Sequence, residues 1–187
     1  MAKRATITLA MAALLGWSAG AAAGTYDFTP TPADLGGLDH YYRYAWGFDV
    51  SSLAGMVILE AELVIEDITN YDNGENVLYI HLLDGAPLGL TSAWDNAVGG
   101  DAFAGQGPLI AEFHDTNGSL TREDLHYSFA SLGILSTASV FAGDGLLAVG
   151  FDPDCHFWNE GVRLTVTAEP PSATEDASWG AIKILFR

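Results

Sequence analysis

The stretch Val57-Ile58-Leu59-Glu60-Ala61-Glu62-Leu63-Val64-Ile65-Glu66-Asp67-Ile68-Thr69 decides the fold. Side chains of an extended chain point alternately to its two faces. Ala61, Leu63 and Ile65 therefore share one face, and Glu60, Glu62 and Glu66 share the other. Apolar residues alternating with acids predict a half-buried strand, one face on a core and one in water.

Outward from this strand the same period recurs. Tyr41 to Val50 reads as a long strand, with Tyr42, Tyr44, Trp46 and Phe48 on the core side and Tyr41, Arg43 and Asp49 opposite. After residue 69, Asn73-Gly74 carries the chemistry of a tight turn with φ > 0. It predicts that 57–69 and 77–83 form an antiparallel hairpin. Further short strands are expected at 109–114, 124–129, 146–151 and 162–167, with Leu78, Ile80 and Leu82 facing inward. Leu132 to Ala142 is the one plausible helix, ended by Gly143-Asp144-Gly145. Asp84 to Gly107 is a long glycine-rich stretch, of the kind that in compact domains is functional or partly ordered. The pattern reads as an all-β protein: an antiparallel two-sheet β-sandwich, jelly-roll-like, with one short helix.

The sandwich is expected over residues 24–168. Before it, Lys3 and Arg4, an apolar run from Thr6 to Trp17, and Ala21-Ala22-Ala23 have the layout of a signal peptide cut after residue 23. The apolar run is too short to span a bilayer. After it, Glu169-Pro170-Pro171 opens a polar linker over 169–177, and 178–187 is a short apolar and basic tail. A secreted or cell-surface protein without a membrane span is the expectation.

Past residue 23, five basic residues stand against 24 acidic ones, a net charge of −19. Such a surface repels nucleic acid and attracts divalent cations. The single cysteine, Cys155, cannot close an internal disulfide, so a packed core must supply the stability.

Several pieces in order carry a family resemblance: Trp46-Gly47-Phe48-Asp49-Val50-Ser51-Ser52-Leu53, Ala61-Glu62-Leu63, Trp94, the helix before Gly145, and Phe151-Asp152-Pro153-Asp154-Cys155-His156-Phe157. This layout resembles the DNRLRE-type β-sandwich, a relative of jelly-roll carbohydrate-binding modules, in variants from exported bacterial proteins of the PEP-CTERM kind. The sequence lacks the sorting helix and basic cluster of a PEP-CTERM tail. The resemblance implies a non-catalytic surface or accessory domain.

Two sets of residues are candidates for chemistry. Asp152 and Asp154, with His156, Asn159 and Glu160 close behind, place oxygen ligands at i and i+2, a spacing that can converge on Ca²⁺. The alternative is a turn whose carboxylates accept backbone N–H groups. Asp95, Asn96 and Asp101 form a second, weaker oxygen cluster. Zinc is disfavoured, because Cys155 and His156 are adjacent and no second Cys/His pair supports them. The other set is aromatic. Trp94 and Trp158 sit in expected loops, where a flat ring can stack on a sugar; Tyr41 and Arg43 are secondary ligand-binding candidates. No G-x-S-x-G, H-E-x-x-H or similar catalytic string is present. The expected function is a non-catalytic carbohydrate-binding-like or surface-scaffolding module stabilised by Ca²⁺, with polysaccharide or cell-surface partners. The alternatives are a structural or adhesive surface protein without a small ligand, and a small secreted polysaccharide hydrolase or lyase.

Overall fold

The computed structural model describes residues 22–34, 36–95, 99–117 and 121–171. The expected signal peptide up to residue 21, most of the linker, the tail 178–187, Asn96 and Gly118 lie outside the described residues.

Among the described residues, eleven strands build two antiparallel sheets. The first sheet centres on β4 (Val57–Asn70), the strand in which acids alternate with apolar residues. One edge of β4 pairs with β8 (Glu123–Ser128). On its other side it pairs with β11 (Gly161–Glu169) and, near its end, with β10 (Phe157–Asn159). Beyond these lie β1 (Gly24–Phe28) against β11 and β2 (Gly36–Leu38) against β10. The second sheet runs β6 (Gly89–Trp94), β3 (Tyr42–Asp49), β9 (Leu146–Pro153), β5 (Asn76–Leu83) and β7 (Leu109–Asp115). One short helix, α1 (Leu135–Phe141), is the only α-helix among the described residues. No helix of these residues is long and apolar enough to cross a membrane.

The inner faces are those the alternation predicts. Tyr44, Trp46, Phe48, Ala61, Leu63, Ile65, Leu78, Ile80 and Leu82 are all buried in one continuous core. Trp46 meets Phe151 edge-on, with ring centroids 5.6 Å apart. Its indole N–H donates to the Pro32 carbonyl at 2.9 Å, which satisfies the polar handle of a fully buried tryptophan.

Two expectations are corrected. Strands 57–70 and 76–83 are not a hairpin. They lie in different sheets, and the segment between them crosses the sandwich. The physical reason is local: neither Asn73 nor Gly74 adopts positive φ, which a two-residue hairpin turn requires. Instead the Asp72 carboxylate accepts the Gly74 amide at 2.7 Å and the Asn76 side-chain amide at 3.0 Å, an Asx-type turn. Second, 84–107 and 152–161 are not plain loops: they contain β6 and β10. β9 also runs on to Pro153 and β11 to Glu169, into the expected linker.

Residues 99–107 form a lid on the outer face of the second sheet. Phe103 is buried there with Leu83 and Ala148, against Ala45 and Ala86. Two glycines make the close approach possible. A Cβ on Gly150 would sit 2.9 Å from the Phe103 ring, and one on Gly107 would sit 1.9 Å from the Leu82 carbonyl oxygen.

Candidate functional site

Four of the most exposed large side chains are aromatic and belong to one surface: Tyr71 (62 %), Trp94 (57 %), Tyr41 (40 %) and Trp158 (37 %). Their rings make a continuous band over one end of the sandwich. Trp94, closing β6, stacks on Tyr41 at 5.2 Å with planes 6° apart, and meets Tyr42 edge-on at 5.2 Å. Tyr41 contacts the His40 ring at 4.0 Å. His40 meets His156 edge-on at 5.1 Å. His156 in turn contacts Tyr71 at 6.0 Å and Trp158 at 6.5 Å, and Tyr71 lies 5.9 Å from Trp158. The band thus joins the β3–β6 edge of one sheet to the β4–β10 corner of the other.

Local chemistry holds the band. The turn before β3 is fixed by Asp39, whose amide donates to the Tyr44 hydroxyl at 2.8 Å and whose carboxylate accepts the Tyr41 amide at 3.1 Å. The Tyr42 amide donates to the Asp39 carbonyl at 3.0 Å. Across the gap, the Tyr71 amide donates to the His156 carbonyl at 2.9 Å. Trp158 is presented on β10, between buried Phe157 and buried Asn159.

Beside Trp158 opens a cleft of about 430 Å³ lined by Asp34, Gly36, Asp67, Arg122, Asn159 and Glu160. Arg122 and Glu160 form an ion pair across it. The Asn159 side-chain carbonyl oxygen is buried and has no hydrogen-bond partner among the described residues. Asn159 alternates to the inner face of β10, so the groups the cleft offers to a ligand are the Trp158 ring, the Asp34, Asp67 and Glu160 carboxylates and Arg122.

The structure therefore brings Trp94, Tyr41 and Trp158 onto one surface and sends Arg43 elsewhere. The Arg43 guanidinium donates to the Ala102 carbonyl at 3.2 Å and lies 5.7 Å from the Phe103 ring, so it pins the lid.

Asp152, on β9, and Asp154, just past its end, face separate partners. One oxygen of Asp152 accepts the Ala102 amide at 2.6 Å. One oxygen of Asp154 accepts the Val77 amide at 2.6 Å. Burial pushes the Asp152 carboxyl up to about 7; the Ala102 amide opposes this, while a side-chain hydrogen bond to Asp95 and the Asp95 and Asp101 charges add to it. Burial likewise raises Asp154, against the Val77 amide. Asp101 has further work: its carboxylate contacts His81 Nε2 at 2.9 Å and accepts the Phe103 amide at 3.0 Å.

The chain matches no protein-family model and no curated protein sequence.

Sequence reasoning missed Asp39, His40 and Tyr71. The stretch Asp39-His40-Tyr41-Tyr42 carried a usable signal, four residues of binding chemistry just before a core strand. Tyr71 gave none, because it looks like ordinary turn composition.

Proposed function

We propose that this protein is an exported, non-catalytic β-sandwich that binds carbohydrate through the aromatic band from Trp94 to Trp158. The observation that carries the reading is the band itself. Soluble proteins seldom leave contiguous apolar surface of this kind open unless something docks on it. Flat rings alternating with polar groups suit a sugar chain, whose C–H faces lie on π surfaces while its hydroxyls reach hydrogen-bonding partners. The carboxylates of the adjoining cleft and Arg122 supply such partners. With a net charge of −19 past residue 23, the favoured glycans are neutral ones, since anionic polysaccharides are repelled.

Ca²⁺ belongs to this proposal as a stabilising ion beside the band and not within it. What supports it is the closeness of the Asp95 and Asp152 carboxyls beneath the lid, with the Asp101 charge felt there, and the presence of Asp154 just past the end of β9. The resemblance to carbohydrate-binding sandwiches points the same way, as does the signal-peptide layout for export.

The test is a glycan array probed with and without Ca²⁺, using wild type, Trp94→Ala and Trp158→Ala. A neutral polysaccharide is expected to bind wild type. Each truncation should weaken it by about tenfold or more, the scale of losing an aromatic anchor. Binding that both variants retain in full would sink the reading. Unchanged binding after Ca²⁺ removal, with unchanged thermal stability, would remove the ion from it.

A further inference from the structure

The middle of the aromatic band holds a cluster that stacking on sugars does not use. Asp39, His40 and His156 each offer one ligand atom, and these atoms lie within 4.8 Å of one another; they are the only such group of three among the described residues. We propose that Asp39, His40 and His156 form a site for a zinc-type divalent transition-metal ion, three protein ligands with a further position open to solvent.

The distances carry the argument. Zinc bound by imidazole nitrogen and carboxylate oxygen at 2.0–2.2 Å in tetrahedral geometry separates its ligand atoms by about 3.3–3.5 Å. His40 Nδ1 stands 3.3 Å from His156 Nδ1. His40 Nδ1 stands 3.7 Å from Asp39 Oδ1, and His156 Nε2 stands 3.6 Å from Asp39 Oδ2. Both nitrogens of His156 and both oxygens of Asp39 thus face one space, and one ligand atom from each of the three residues lies within 4.8 Å of the others. Without an ion, two Nδ1 atoms facing one another share at most one hydrogen bond, donated by one ring to the lone pair of the other. An ion uses both lone pairs at once.

The surroundings are those of a prepared site. Asp39 is fixed at its amide by the Tyr44 hydroxyl and at Oδ1 by the Tyr41 amide, which leaves Oδ2 toward His156. The Tyr41 ring packs on His40, and the Tyr71 amide holds the His156 carbonyl. Such outer contacts orient metal ligands and raise affinity. His40 and His156 are half-buried, so an ion enters directly from solvent, and the strongly acidic surface concentrates cations around it.

The donor set also selects the metal. Two imidazoles and one carboxylate suit zinc and its transition-metal neighbours, whereas Ca²⁺ and Mg²⁺ take oxygen ligands. This site is thus chemically distinct from Ca²⁺ at Asp152 and Asp154, and it stands whether or not the band binds glycan.

The experiment is calorimetric titration of the untagged, metal-stripped protein with Zn²⁺. One saturable site is expected, with Mg²⁺ and Ca²⁺ failing to compete for it. His40→Ala with His156→Ala should weaken Zn²⁺ by about a hundredfold or more. His114→Ala should leave affinity unchanged: its ring is flanked by Glu75 and Glu112 on opposite nitrogens, an acidic histidine that does not gather three ligands. Co²⁺ in place of Zn²⁺ should give visible absorption that is lost in the double variant. No saturable Zn²⁺ heat in wild type would overturn the proposal, and so would equal heat in wild type and a folded double variant.

Discussion

The outer face of the second sheet and the aromatic rim at the end of the sandwich are made from the same residue types, and they are used in opposite ways. Under the lid, Phe103 is buried on Gly150 and Ala148, His81 has an acceptor at each ring nitrogen, Asp152 holds the Ala102 amide, and Arg43 closes the Ala102 carbonyl. On the rim, Trp94, Tyr41, Tyr71 and Trp158 stay exposed, and two histidines face each other around one aspartate. In the first region, polar and aromatic groups complete one another. In the second they are aligned but left incomplete. Incompleteness held in place by rigid strands is what distinguishes a surface for ligands from a surface for stability.

The largest expected effect breaks the covered side of this comparison. Phe103→Ala removes the ring that fills the space above Gly150. Burial at this level makes Phe→Ala cost about 3–5 kcal/mol, with the lower end expected where a loop can settle into the gap. Urea denaturation should therefore show a loss of about 3 kcal/mol, while Zn²⁺ affinity at the rim stays as in wild type. A loss under about 1 kcal/mol would mean that the lid is an ornament on an open face.

Asp152 gives the next effect. Its carboxyl rises in the folded protein from the ordinary 3.8 to about 7. A raised folded value means that the folded state binds its proton more tightly than the unfolded chain does. The resulting stability is fully present below about pH 4, declines as pH rises through that window, and is gone above about pH 7. At 1.36 kcal/mol per pH unit this shift corresponds to about 4 kcal/mol, which solvent screening reduces to a swing on the order of 3 kcal/mol. Asp152→Asn keeps an acceptor for the Ala102 amide and cannot ionise. The difference in unfolding free energy between wild type and Asp152→Asn should thus slope between about pH 4 and pH 7 and flatten above. A difference that does not change with pH would show that the Asp95–Asp152 pair holds no extra proton.

The legible and illegible parts of the chain divide along physical lines. Strand β4 was readable because Glu60, Glu62 and Glu66 alternate with Ala61, Leu63 and Ile65, so burial on one face left its period in the residues. Strand β3 was readable through Tyr44, Trp46 and Phe48. Strands β1, β2, β6 and β10 were not, because three to six residues at a sheet margin carry too little alternation, and Gly36-Gly37 or Trp158 between Phe157 and Asn159 looks like loop. The misassigned hairpin shows that Asn-Gly composition does not say which sheet the chain enters next; the Asp72 side chain settled that locally. At the site, Trp94, Tyr41 and Trp158 could be named from exposure-prone contexts. The pairing of His40 with His156 could not, since 116 positions separate them and only the crossing of the two sheets brings them together.

The smallest expected effect sharpens the open side. Tyr71 is the most exposed member of the band, it sits in the crossing segment after β4, and its ring lies against His156 and Trp158. Truncating it to alanine leaves every backbone hydrogen bond in place, including the one from its own amide to the His156 carbonyl. Unfolding free energy should change by no more than about 0.5 kcal/mol, the range for exposed positions. The same change interrupts the row of rings between Trp158 and the histidines. If the band acts as one platform, Tyr71→Ala should lower affinity for a long neutral glycan and leave a short one, able to rest on Trp158 alone, unaffected. Equal losses for long and short chains would mean that Trp158 and its cleft form the whole site. No loss for either would place the ligand on the Trp94–Tyr41 stack instead.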